Sequence, residues 1–121
     1  MVLVSGDVAA RDRDAPSPKA ATRLVSAVHR AAASGTPESL RKYMAADFVS
    51  SFGGDGGPNE AIALWRQEPG QLKRLAKSTG GPCRLLSPNY LECPPQAGVD
   101  YRAGFKLVGG RWVFAAFVVG D

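Results

Sequence analysis

The sequence predicts an α+β fold in which N-terminal helices pack on one face of a curved antiparallel sheet. Three observations carry that expectation. Apolar residues recur at helical spacing between Ala21 and Ala76, then at a spacing of two from Pro82 onward. Each half of the later stretch holds a turn signal, Ser87-Pro88-Asn89 and Gly109-Gly110. The chain has 121 residues, of which 45% are hydrophobic and 21% charged. That composition suits one domain with its own core and excludes a disordered, collagen-like or coiled-coil chain.

Residues 5–18 alternate in charge, carry two prolines and show no apolar period, so residues 1–17 read as a mobile arm ahead of one domain at 18–121. The run Met1-Val2-Leu3-Val4 stops at Ser5, Gly6 and Asp7, too early for the apolar core of a signal peptide. Such a start fits either a cytoplasmic protein or a chain whose export signal has been removed.

Ser17 and Pro18 open the first helix as N-cap and first helical residue. Ala21, Leu24, Val25, Val28, Ala31 and Ala32 share one of its faces, and Ser34-Gly35 ends it. Thr36-Pro37 starts a second, neighbouring helix with Leu40, Tyr43, Met44 and Phe48 as its apolar side. A short strand at 48–52 and a glycine-rich connection at 53–57 follow. Pro58 then opens a third helix carrying Ile62, Leu64 and Trp65. Pro69-Gly70 breaks it, and Leu72, Leu75 and Ala76 mark a fourth that runs to Gly80-Gly81.

Two hairpins can be aligned residue by residue. About Gly109-Gly110, Leu107 faces Trp112, Phe105 faces Phe114, Ala103 faces Ala116 and Tyr101 faces Val118, all on one side. Val113, Ala115 and Phe117 then fall on the other, mixed side. In the earlier hairpin a three-residue loop puts Leu86 opposite Tyr90, Leu85 opposite Leu91, Arg84 opposite Glu92 and Cys83 opposite Cys93. One register thus yields an apolar pair, an ion pair and a cysteine pair together. Opposed cysteines at a non-hydrogen-bonded position lie within disulfide reach, which predicts a Cys83–Cys93 bond and an oxidising, extracytoplasmic compartment. Were the thiols free, a cytoplasmic location would be preferred.

The chemical inventory is sparse. One histidine and two cysteines ten apart cannot assemble a zinc site, so no metal and no cofactor is expected. His29 falls at the solvent edge of the first helix. The glycine segment lacks the Lys-Ser/Thr of a P-loop and the spacing of a dinucleotide fingerprint. Fifteen Lys and Arg against eleven Asp and Glu give a net charge of +4. Arg66, Lys73, Arg74 and Lys77 form a basic stripe, but without a recognition motif they do not predict nucleic-acid binding. The longest apolar run, Trp112 to Val119, is too short for a membrane-spanning helix.

The order of elements resembles the NTF2-like superfamily, its SnoaL-like and ketosteroid-isomerase-like members included. The residues that carry the resemblance are Ala27-Val28-His29-Arg30-Ala31, Leu40 and Tyr43 through Phe48 near the start, and Gly109 through Phe114 at the end. The segment from Phe52 to Trp65, with Leu85 to Tyr90, is also similar to modules of uncharacterised proteobacterial proteins. The resemblance implies a cystatin- or NTF2-like cone over residues 18–120, and no catalytic position of those enzymes transfers to this chain. Two departures stand out: the helical segment is interrupted at Pro69-Gly70, and the sheet looks a strand or two short.

A non-catalytic binding or protein-interaction domain is therefore expected, with an apolar pocket for a small apolar ligand or another protein. Tyr43, Asp47, Phe52, Trp65, Tyr90 and Tyr101 are its pocket candidates. Two alternatives remain open. One is a small SnoaL-like enzyme using Asp47 with Tyr43 or Tyr101 on an apolar ligand. The other is a homodimeric structural module that buries the sheet face of Val113, Ala115 and Phe117.

Overall fold

The structure is a computed structural model that describes residues 18–50, 56–95 and 101–119; the expected arm, Phe52 and most of the glycine segment lie outside these. Pro18 is extended, at φ −61° and ψ 149°, and caps helix α1 (Lys19–Ala33) from one residue outside it. The expected apolar face is the one α1 buries, through Ala21, Val25, Val28 and Ala32. After Gly35 the chain enters a 3₁₀ turn over Pro37–Tyr43, with Leu40 as its buried residue.

Here the structure departs from the expected second helix. Met44–Ser50 is strand β1, and it runs parallel to the last strand. Met-Ala-Ala favours a helix locally, but the strand gives Met44 and Phe48 places in the core and satisfies its backbone on a neighbouring strand. The sheet is consequently mixed rather than purely antiparallel.

Helix α2 (Gly57–Gln67) buries Ala61, Ile62 and Trp65, and Glu68–Pro69 separates it from α3 (Gly70–Thr79), which buries Leu72 and Leu75. Strands β2 (Arg84–Ser87), β3 (Tyr90–Cys93), β4 (Tyr101–Val108) and β5 (Arg111–Val119) complete a five-stranded sheet ordered β1-β5-β4-β3-β2. Among the described residues no helix is long and apolar enough to cross a membrane.

The β4–β5 register holds from the turn to Phe105 opposite Phe114, and both glycines of that turn take positive φ (58° and 79°), as a two-residue hairpin loop of this hand requires. Beyond it a bulge at Ala115 shifts the pairing by one, so Ala103 faces Phe117 and Tyr101 faces Val119. The slip turns Phe117 inward, where it is 2% exposed, and Ala115 is buried at 6%. The apolar sheet face proposed for a homodimer is therefore largely consumed within the chain. In the other hairpin Arg84 faces Glu92 and Leu85 faces Leu91, as expected. Leu86 is displaced there, leaving Ser87 opposite Tyr90 and Leu86 in solvent. Cys83 and Cys93 are disulfide-bonded, with Cα atoms 4.3 Å apart.

The helices pack on one face of this sheet, and aromatic rings fill the space between. Phe48 meets Trp65 edge-on at 5.9 Å and Phe114 at 4.8 Å, and Phe105 stacks on Phe114 at 5.2 Å. All four are at most 1% exposed. Side chains of this size contribute roughly 1.5–3 kcal/mol each on leaving water.

Candidate ligand-binding hollow

α3 lies against β4, and its last turns overhang the start of that strand. Its pattern places Leu72 and Leu75 inward and leaves Arg74 and Lys77 exposed along one edge. Between that edge and the sheet is a hollow of about 250 Å³. Arg74, Lys77 and Ser78 form its helical wall, Gly81 and Pro82 close one end, and Pro94 and Tyr101 supply the sheet side. The disulfide is next to it in sequence at both ends: Cys83 follows Pro82, and Cys93 precedes Pro94.

Tyr101 is held from several directions. Ser78 Oγ donates to its carbonyl oxygen at 3.1 Å, and Gln71 Nε2 donates to its hydroxyl at 3.3 Å. Its ring stacks on Phe117 at 5.0 Å, and the Arg74 guanidinium sits 5.2 Å from its centroid. Gln71 is itself buried, and its Oε1 has no hydrogen-bond partner among the described residues. The lining thus combines an aromatic ring and two prolines with two cations and no carboxylate among the described residues. A second hollow, of about 290 Å³, lies across Gly81 and is lined by Thr22, Ser26, Thr79, Cys83 and Leu91 among others.

The pocket residues expected from sequence are dispersed. Trp65 is sealed in the core at 1% exposure. Tyr43 is half-buried at the end of the 3₁₀ turn, with Lys42 Nζ 5.4 Å from its ring. Tyr90 lies on the outer face of the sheet, across Gly104: a Cβ at Gly104 would fall 1.9 Å from the Tyr90 hydroxyl. Burial, and then the nearby Glu92 carboxylate, push the Tyr90 phenol above its ordinary pKa. Asp47 is exposed and both its oxygens accept from Lys106 Nζ at 3.0 Å. That hydrogen-bonded ammonium holds the Asp47 carboxyl below its usual range. Of the five candidates among the described residues, only Tyr101 lines the first hollow; Phe52 lies outside them.

His29 corrects another expectation. It does not sit idle at a solvent edge; its Nδ1 donates to the Ala76 carbonyl at 2.8 Å, with Thr79 Oγ1 at 3.2 Å. Ala76 is in the last turn of α3, where carbonyls lack partners within the helix, so His29 ties α1 to the end of α3. The expected basic stripe is also divided. Arg66 pairs with Glu38 at 2.7 Å, and Arg41 bonds both Glu38 and Asn59, joining the 3₁₀ turn to α2. Arg74 and Lys77 remain at the hollow. Their presence in the stripe was the available signal; their meeting with Tyr101 depends on a tertiary contact that spacing does not encode.

No protein-family model matches this sequence, and no curated protein matches it. Among solved structures, the chain is similar to an NTF-2 like protein of unknown function from Shewanella oneidensis MR-1. The identity is 13%, over 82% of this chain and 94% of that one, with a TM-score of 0.47.

Proposed function

We propose that this chain is a non-catalytic binding domain of NTF2-like design that works outside the cytoplasm and holds a small, largely apolar ligand in the hollow between α3 and β4. The observation that carries the reading is the contrast between a core filled with rings and an open recess bordered by Pro82, Pro94 and the Tyr101 ring. A recess with apolar walls and a few fixed polar groups is the usual form of a small-molecule site.

The non-catalytic part rests on where the acid–base groups stand. General acid–base chemistry requires a titratable group within reach of the substrate. No carboxylate or imidazole among the described residues lines the hollow: His29 is occupied with a helix carbonyl and Asp47 with Lys106, while the Tyr101 hydroxyl accepts from Gln71 and the Ser78 hydroxyl bonds the Tyr101 backbone. The disulfide supports the compartment, since such bonds persist in oxidising surroundings and are rare in reducing ones.

Titration of ¹⁵N-labelled protein with 2-phenylethanol, followed by backbone amide shifts, tests the site. The changes are expected to concentrate at residues 74–81 and at Tyr101. Changes centred on Phe48 and Trp65, or none up to the solubility limit, would overturn the reading.

A further inference from the structure

Resting on the hollow as the binding site, we infer that its ligand is a small monoanionic carboxylate with a single ring or short branched chain as its apolar body, the carboxylate being held by Arg74 and Lys77. The charge argument comes from α3, which carries Lys73, Arg74 and Lys77 and no acidic residue. Among the described residues, neither Arg74 nor Lys77 has a carboxylate partner. Four cations elsewhere do have one: Arg41 and Arg66 in Glu38, Lys106 in Asp47, and Arg102 in Glu92; what sets Arg74 and Lys77 apart is that both line one recess. Residues three apart on a helix have Cβ atoms about 5–6 Å from one another, so both cations can reach one anion.

Arg74 is also set in place before any ligand arrives. Its guanidinium lies over the Tyr101 ring, which is held by Gln71 at its hydroxyl and by Phe117 on its face, while Ser78 holds the Tyr101 backbone. The guanidinium carbon lies 5.2 Å from the ring centroid, and an arginine held over a ring by its charge still has five N–H donors to offer an anion. Their planar fork matches two carboxylate oxygens. With ring and fork already ordered, little side-chain entropy remains to oppose binding.

Volume and wall chemistry define the rest of the ligand. About 250 Å³ is less than the roughly 300–1,000 Å³ of sites for drug-sized molecules, which limits the body to one ring or its equivalent. Pro82 and Pro94 present apolar walls without a backbone donor. A neutral ligand would leave both cations unused, and a cationic one would be repelled. For a phosphate monoester, with three anionic oxygens, the rim offers only one guanidinium fork and one ammonium.

Isothermal titration at pH 7 in a phosphate-free buffer tests this with phenylacetate, its neutral isostere 2-phenylethanol, 2-phenylethylamine, acetate and phenyl phosphate. Phenylacetate is expected to bind at least about 10-fold more tightly than 2-phenylethanol, the gain of a charge-assisted hydrogen bond. Acetate and 2-phenylethylamine are expected to bind too weakly to measure. Arg74→Gln and Lys77→Gln should each weaken phenylacetate about 10-fold and weaken 2-phenylethanol by less, so that the preference for the carboxylate is lost. Both side chains are exposed, so the variants should keep the parent's thermal midpoint. Equal affinities for phenylacetate and 2-phenylethanol would overturn the carboxylate inference and leave the hollow as the site. Tighter binding of phenyl phosphate would overturn the ligand class, and failure of both phenylacetate and 2-phenylethanol to bind would overturn the site itself.

Discussion

The space between the helices and the sheet differs from the recess at the end of α3 in what ends up facing what. In the first, Phe48, Trp65, Phe105 and Phe114 come from two strands, a helix and a third strand and close on one another. In the second, a proline-flanked edge and a clamped tyrosine face a helix whose exposed side chains are long, charged and unable to fill the gap. Aromatic content alone therefore does not mark a binding site. The rings here are chiefly structural, and the ring that lines a recess is the one with an arginine on it.

The sharpest way to separate the regions is to damage the first. Phe114→Ala or Trp65→Ala should cost about 3–5 kcal/mol in urea unfolding, because each is sealed and a cavity would remain. Trp112, only partly buried, should cost less when truncated. If the Phe114 variant lost under 1 kcal/mol, the interior would not be the close-packed region described.

Next in size is the disulfide, which borders the recess through Pro82 and Pro94. Cys83→Ser/Cys93→Ser should lower stability by about 2–3 kcal/mol, the value for a short closed loop. It should also weaken ligand affinity more than Phe114→Ala does in protein that remains folded. Thiol titration of the denatured, unreduced wild type should find no free thiol.

A smaller loss is expected at the tie between α1 and α3. His29→Ala leaves the Ala76 carbonyl with only the longer bond from the Thr79 hydroxyl, at 3.3 Å, and should cost about 1 kcal/mol, measurable by the same unfolding curves. An unchanged midpoint would mean that water replaces the imidazole without loss.

The smallest effect belongs to the surface pair Asp47–Lys106. Its folded carboxyl titrates below the usual range, so the pair's contribution is present above that range and is lost as pH falls through the lowered value. Asp47→Asn should leave stability at pH 7 nearly untouched and flatten the acid limb below about pH 4. A large loss at neutral pH would place Asp47 in a structural or catalytic role that its 75% exposed side chain does not suggest.

What the sequence discloses follows from how local each feature is. The Cys83–Cys93 pairing was legible because the neighbouring Arg84–Glu92 and Leu85–Leu91 pairs set the same register, which survives although the turn closes with Ser87 rather than Leu86 opposite Tyr90. The Phe105–Phe114 pair was legible for the same reason, close to a two-glycine turn. Phe117 was not, since one bulged residue inverts the alternation and nothing in the pattern announces it. Met44 to Phe48 reads as helix by propensity and becomes strand because β5 is available beside it. His29 finds its partner 47 residues away, beyond any spacing rule. The recess itself draws on a helix, two separate connections and one strand. Sequence reading therefore reached Tyr101 and the basic stripe separately without joining them.

A crystal structure of the protein with phenylacetate tests most directly the claim that the recess, not the interior, receives the ligand. The account predicts the ring against Pro82, Pro94 and Tyr101, with the carboxylate within hydrogen-bond distance of Arg74. Density for the ligand among Phe48, Trp65 and Phe114, with the recess empty, would contradict it.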